Sequence, residues 1–495
     1  MEAPVKSAEF GHGLLSRAQR QWLDTAARRW VPRLLPFADA ASAELPLSRL
    51  LRLALFQVSV GMAAALMVGT LNRVMIVELH MAAWLVALMV ALPLLAAPFR
   101  AFIGFRSDHH ASIIGWRRVP YLWVGTLLQF GGLAIMPFAL LVLTGDGQLG
   151  MAWLGHLAAG LAFLLVGAGM QTTQTAGLAL ATDLSSEEAR PRVVALMYVM
   201  LLLGMVGGGF VSAALLADFS DKKLVQVVQG AALLTVLLNL AAVWRQEPRG
   251  ATRRRKGDPQ PAFSTQWRAF IARPNARRFL WATGLGTAAF NMQDIVLEPY
   301  GGEILKLSVS ATSALTAVMA CGALLAFATA ARWLVRGGDP MRVAAIGLVI
   351  GLPAFSAVIF SAPADAAWLF RVGTFCIGFG GGLFAVGTLT AAMGLDDSKN
   401  IGMALGAWGA VQATAAGLAV LCGGALRDAV GHLAMGGWLG PVMQSPVTGY
   451  NAVYHLEMLM LFAALVALGP LVRRASPQRT GALTTRRFGL ADLPG

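Results

Sequence analysis

Two short polar runs stand out because each closes an otherwise apolar stretch. One is Asn291-Met292-Gln293-Asp294-Ile295-Val296-Leu297-Glu298-Pro299-Tyr300-Gly301-Gly302; the other, earlier in the chain, is Leu71–Leu79, which contains Asn72, Arg73 and Glu78. Both runs pass from an Asn through an Ile-Val pair to a Glu, so the chain reads as a molecule built twice. Asp294 and Glu298 stand four residues apart on one helix face, where two ionised carboxylates repel unless a cation joins them. Arg73 is the expected cation. Asn72, Arg73, Glu78, Asp294 and Glu298 are therefore expected to form a polar clamp between the halves.

A second constellation has a different chemistry. His156, Gly160, Phe163, Gly167, Gln171 and Gln174 fall within an arc of about 90° at about 100° per residue, so small and polar side chains share one helix face. A His or amide on such a face can donate to a ligand carbonyl or give a magnesium its one axial donor, a metal that takes hard ligands. His156, Gln171, Gln174 and Asn291 are the ligand candidates. In the plainer alternative the glycines admit a neighbouring helix and the amides bond to it. Adjacent His109 and His110 diverge on a loop, and the three cysteines, Cys321, Cys376 and Cys422, lack metal-ligand spacing. No nucleophile–base pair, metal-ligand set or phosphate loop is evident, so catalysis is not expected.

These residues need a scaffold, and composition says which kind. The 495 residues are 57% hydrophobic and only 13% charged, whereas soluble domains carry about 25% charged residues. Apolar runs long enough to cross a hydrocarbon core of about 30 Å recur about twelve times. The spacing predicts spans near 52–78, 83–103, 119–143, 151–181, 193–217, 225–244, 278–298, 311–335, 342–361, 367–393, 402–427 and 452–472. The expected organisation is a cytoplasmic N-terminal segment (1–51), a six-helix bundle (52–244), a basic linker (245–277), a second six-helix bundle (278–472) and a basic tail (473–495). Within the first segment, Trp22, Ala26 and Trp30 at a four-residue spacing predict an amphipathic helix over 16–37 in the membrane interface.

The net charge of +14 raises the question of a nucleic-acid partner. Placement answers it, because Lys and Arg crowd alternate loops, as in Arg253–Lys256, while 144–150 and 361–366 carry none. That alternation puts both termini in the cytoplasm and assigns the basic runs to anionic lipid headgroups, with no nucleic acid. The chain opens polar and basic, without a cleavable signal-peptide pattern. Carboxylates cluster at predicted helix ends, Glu457 among them, and none is expected near the middle of a span.

Between spans two and three, Gly104, Asp108 and Gly115-Trp116-Arg117-Arg118 resemble the loop of the major facilitator superfamily in which an aspartate and arginines latch helix ends. His109 stands where that pattern has arginine. Arg336-Gly337-Gly338-Asp339 is its fainter counterpart in the second half, which supports halves related by an axis along the membrane normal. Leu71–Leu79, Pro98–Arg118, Gly169–Asp183, Gln293–Gly302 and Gly382–Gly394 together are similar to the bacteriochlorophyll-delivery (PucC- and LhaA-type) family within that superfamily. Phe56-Gln57-Val58-Ser59-Val60-Gly61 leans toward the LhaA branch, associated with the core antenna. The resemblance implies an all-α membrane protein of twelve helices in the bacterial inner or intracytoplasmic membrane. It also implies bacteriochlorophyll as a transiently bound cofactor, carotenoid as a further candidate, and antenna α and β polypeptides as partners, alongside the reaction centre or pigment-synthesis enzymes. The alternatives carried with it are a proton-coupled transporter of a small solute and a pigment-free scaffold for antenna helices.

Overall fold

The computed structural model describes residues 45–95, 116–143, 152–186, 189–247, 272, 274–393 and 401–472. The expected interfacial helix over 16–37, Asp108, His109, the bulk of the linker and the basic tail lie outside these residues.

The described chain is helical throughout. In order, the elements are α1 (Leu47–Glu78), α2 (Ala83–Leu95), α3 (Val119–Leu143), α4 (Ala152–Asp183), α5 (Arg190–Leu215) and α6 (Asp221–Val243). The second half holds α7 (Pro274–Asn291, continuing through a 3-10 turn Met292–Ile295 into Leu297–Glu303), α8 (Val309–Val335), α9 (Pro340–Ser361), α10 (Ala367–Met393), α11 (Ile401–Met435) and α12 (Val447–Leu468). Ten of these helices are long and apolar enough to cross a membrane. The other two, α2 and α7, occupy the places expected for spans two and seven. Among the larger boundary shifts, α1 begins at Leu47 rather than 52, α11 ends at Met435 rather than 427, and α12 begins at Val447 rather than 452.

The packing repeats with a shift of six helices. In the first half α3 lies on α4 and on α6, and α1 on α5 and α6; in the second, α9 lies on α10 and α12, and α7 on α11 and α12. Between halves, α2 packs on α11 and α5 on α8. A two-fold that carries each helix to the one six places on exchanges these two contacts, so the fold is major-facilitator-like.

Lipid tails are as apolar as leucine, so close packing must hold such helices together. At the α1–α5 crossing, a Cβ on Gly61 would overlap the Leu201 carbonyl oxygen and one on Gly204 the Val58 carbonyl oxygen. Only glycine lets these two backbones meet. The second half uses the same device where α8 crosses α10, at Gly322 and Gly378, and adds a cluster of aromatic rings. Tyr300 meets Tyr450 and Tyr454 edge-on at centroid distances of 5.5 and 5.6 Å, and Phe370 at 5.6 Å. Each such pair contributes about 0.5–1.5 kcal/mol beyond simple burial.

Candidate functional site

The outer ends of the two halves are fastened together. Thr70 on α1 donates to Ser313 on α8 at 2.9 Å, and Asp428 on α11 accepts the backbone N–H of Trp84 at the start of α2 at 2.9 Å. Between them, the Asn72 amide donates to the Asp294 carbonyl at 3.0 Å and the Ile295 carbonyl at 3.3 Å. Local sequence explains why the second of these carbonyls is available. The helical partner of the Ile295 carbonyl would be the N–H four residues on, and that residue is Pro299, which has none. A donor from the other half takes its place.

The pairing expected for Arg73 is not formed. Its guanidinium joins Glu78 on its own helix and also donates to the Leu307 carbonyl. The cause is local winding: Leu66–Leu71 and Val74–Glu78 are π-helical, and a π turn bonds residue i to i+5, which stacks Glu78 with Arg73. Asp294 and Glu298 therefore receive neutral donors, Gln293 and Thr316 respectively, the latter at 2.7 Å. The expectation that carboxylates avoid the middle of a span is also corrected. Glu457 stands midway along the 22-residue α12 and is wholly buried.

The polar stripe of α4 does not form one site. His156 and Gln171 are 15 positions apart, about 22 Å along the axis at about 1.5 Å per residue, so they cannot serve one magnesium. Gln174 donates to Gln57 on α1 at 3.3 Å, and Asn291 to the Thr287 carbonyl of its own helix at 2.8 Å. Gln171 keeps a buried side-chain oxygen without a partner. At the inner end of the same half, Arg117 and Arg118 pair with Asp183 at the end of α4. Glu247 accepts the backbone N–H groups of Arg117, Arg118 and Val119 at 2.8–3.1 Å, capping the start of α3.

A cavity of about 140 Å³ opens at the other end of the interface, between α5, α8, α10 and α11. Its wall includes Tyr198, Val199, Phe327, Leu389, Trp408 and Gln412, with no charged side chain among its described lining residues. It lies toward the ends that carry the basic loops, which charge placement assigns to the cytoplasm. Trp408 donates to Thr388 at 3.2 Å and Thr390 to the Val386 carbonyl at 2.8 Å, so both are occupied by the fold. The Tyr198 hydroxyl and the Gln412 amide bond no other described residue. The wall thus offers apolar and aromatic faces to a flat hydrophobic molecule, and one amide oxygen of the hard kind magnesium accepts. None of the four ligand candidates read from the sequence lines this cavity. Tyr198, Trp408 and Gln412 were hidden because a lone Tyr, Trp or Gln in a glycine-rich apolar helix carries no spacing signal.

The family model described as PUCC protein matches residues 70–476. Among similar curated proteins, Protein PucC of Rhodovulum sulfidophilum is 57% identical over 404 residues, 81% of this chain and 89% of that protein. An uncharacterised protein of the puhA-bchM intergenic region of Rhodobacter capsulatus is 51% identical over 478 residues, 96% of this chain and 99% of that one. Among solved structures, a bacterial homologue of the human lysosomal transporter Spinster, inward-facing and unoccupied, aligns with a TM-score of 0.64 at 16% identity. That alignment covers 87% of this chain and 98% of the Spinster homologue, and at such identity it shows the fold alone.

Proposed function

The chain belongs to the PUCC protein family, and from that premise we propose that it is an assembly factor for bacterial light-harvesting antennae, binding bacteriochlorophyll and delivering it to antenna polypeptides. The setting is the bacterial inner or intracytoplasmic membrane, and the core antenna around the reaction centre is the favoured client. The observation that carries this reading is the uncharged, aromatic wall of the cavity between α5, α8, α10 and α11. A small polar solute needs charged or densely polar walls, whereas a macrocycle with a long hydrocarbon tail needs these, with the tail left to the lipid.

In this reading the protein holds and orients its cargo and does no chemistry on it. Phe327 and Trp408 would give the ring apolar faces to lie against, and the Gln412 amide oxygen would be the donor available to the metal that the pigment brings. Loose binding follows from having one donor rather than several, and a carrier that must hand on its cargo requires it.

The test is an absorption spectrum of gently purified protein from a pigment-producing host. Wild type is expected to carry bacteriochlorophyll; Ala195→Phe, which fills the cavity, and Gln412→Leu are expected to lose it, while His156→Ala and Gln171→Ala retain it. Absence of pigment from the wild type at any stoichiometry would refute delivery and favour a scaffold or a solute transporter. Loss of pigment in the α4 variants alone would move the site to that stripe.

A further inference from the structure

The junction of α7, α12 and α1 holds more negative charge than the fold can balance. Three carboxyl groups, Asp294, Glu298 and Glu457, reach it, and Glu298 and Glu457 are almost wholly buried. Asp294 accepts from the Gln293 amide and Glu298 from the Thr316 hydroxyl, both neutral donors. Glu457 faces the Gln293 backbone and the Asp294 carboxyl, and neither of its oxygens meets a hydrogen-bonding side chain.

The nearest cations belong to other acids. Arg73 on α1 is joined to Glu78. Arg427 on α11 is joined to Glu303 at 2.6 Å and to Asp428 at 2.8 Å, and it lies over the Tyr450 ring. The Tyr450 hydroxyl donates to Glu303, and Tyr300 faces the Val358 carbonyl. Two arginines thus serve Glu78, Glu303 and Asp428, which leaves Asp294, Glu298 and Glu457 without a counter-charge among the described residues.

Two further groups, both buried, point the same way. The free oxygen of the Gln293 amide, whose nitrogen holds Asp294, has no donor; neither has the free oxygen of the Asn72 amide, whose nitrogen holds the Asp294 backbone. One turn from Glu457, the Tyr454 hydroxyl, which can donate as well as accept, is unpartnered too. The free carboxyl and amide oxygens of the junction outnumber its free donors. An uncompensated buried carboxylate costs several kcal/mol, and the usual remedy is neutralisation.

We propose that this junction is a proton-binding site, with Glu457 as the proton acceptor and Asp294 the carboxyl that shares its charge state. Among the described residues no three His, Cys, Asp or Glu side chains are placed to hold a metal ion. Loading and unloading the proton changes the charge beside Asn72, the residue that ties α1 to α7. The site is separate from the cytoplasmic cavity, and its existence does not depend on the identity of the cargo.

The experiment uses the full chain in lipid nanodiscs. Infrared spectroscopy at neutral pH is expected to show a protonated carboxyl stretch that Glu457→Gln removes and Asp294→Asn shifts. A proton bound in the folded chain and released on unfolding makes stability fall as pH rises. The thermal midpoint of the wild type should therefore drop with rising pH, and that dependence should flatten in Glu457→Gln, which keeps the shape of the side chain. A wild-type spectrum without the protonated band would overturn the proposal whatever the variants do. So would a pH dependence that Glu457→Gln leaves unchanged, or a midpoint that follows sodium against choline at fixed pH.

Discussion

Asn72→Ala should weaken the molecule through its effect on α7. The Asn72 amide supplies the donor that Pro299 denies to the Ile295 carbonyl, and it also serves the Asp294 carbonyl. Leaving a buried carbonyl without a donor costs about 1–3 kcal/mol, while hydrogen bonds between membrane helices average about 0.6 kcal/mol and reach about 1.7. Two carbonyls at risk, with partial relaxation, give an expected loss of about 1–3 kcal/mol. Pro299→Ala restores an N–H four residues after Ile295, so it should make Asn72 partly dispensable. A double-mutant cycle on thermal or denaturant unfolding isolates that dependence: the loss on Asn72→Ala should shrink by about 1 kcal/mol in the Pro299→Ala background. Strict additivity of the two substitutions would refute the argument that the proline creates the need for the asparagine.

Three other predictions follow from particular contacts. Glu247→Ala removes the acceptor for three N–H groups at the start of α3 and should lower stability by about 1–2 kcal/mol, read as a fall in unfolding midpoint. Gly61→Ala forces α1 away from α5 at the Leu201 carbonyl and should cost about 1–3 kcal/mol, visible as reduced midpoint and yield of monodisperse protein. Gln174→Ala strips a partner from fully buried Gln57. It should cost about 1 kcal/mol of stability while leaving the pigment content of the purified protein unchanged.

The scaffold was legible because membrane spans are written in length and apolarity, which neighbouring residues cannot easily mask. Even α7 was placed, although Arg277, Arg278, Asn291 and Asp294 dilute its hydropathy. What local sequence does not encode is how a helix is wound. The π turns of α1 send Arg73 to Glu78, so a reading at 3.6 residues per turn gave the arginine the wrong partner. A five-residue error in the start of α12 had a similar effect, since it put Glu457 at a helix end rather than midway. The cavity was the least visible feature. Its wall draws residues from four helices in both halves, and only tertiary packing brings Tyr198, Phe327, Trp408 and Gln412 together.

The outer fastening between the halves has a consequence for the conditions the protein tolerates. Thr70 with Ser313 and Asn72 with the carbonyls of α7 are bonds between uncharged groups, and Asp428, whose cation Arg427 sits beside it on α11, reaches across the seam to a backbone N–H. Mobile ions screen charge pairs over a Debye length of about 8 Å at physiological ionic strength, but they have little hold on neutral dipoles in a seam closed to water. The grip of one half on the other should therefore be nearly the same in dilute and concentrated salt. A change of ionic strength would reach the basic loops and their lipid headgroups first, and could alter how the protein sits in its membrane without loosening the seam.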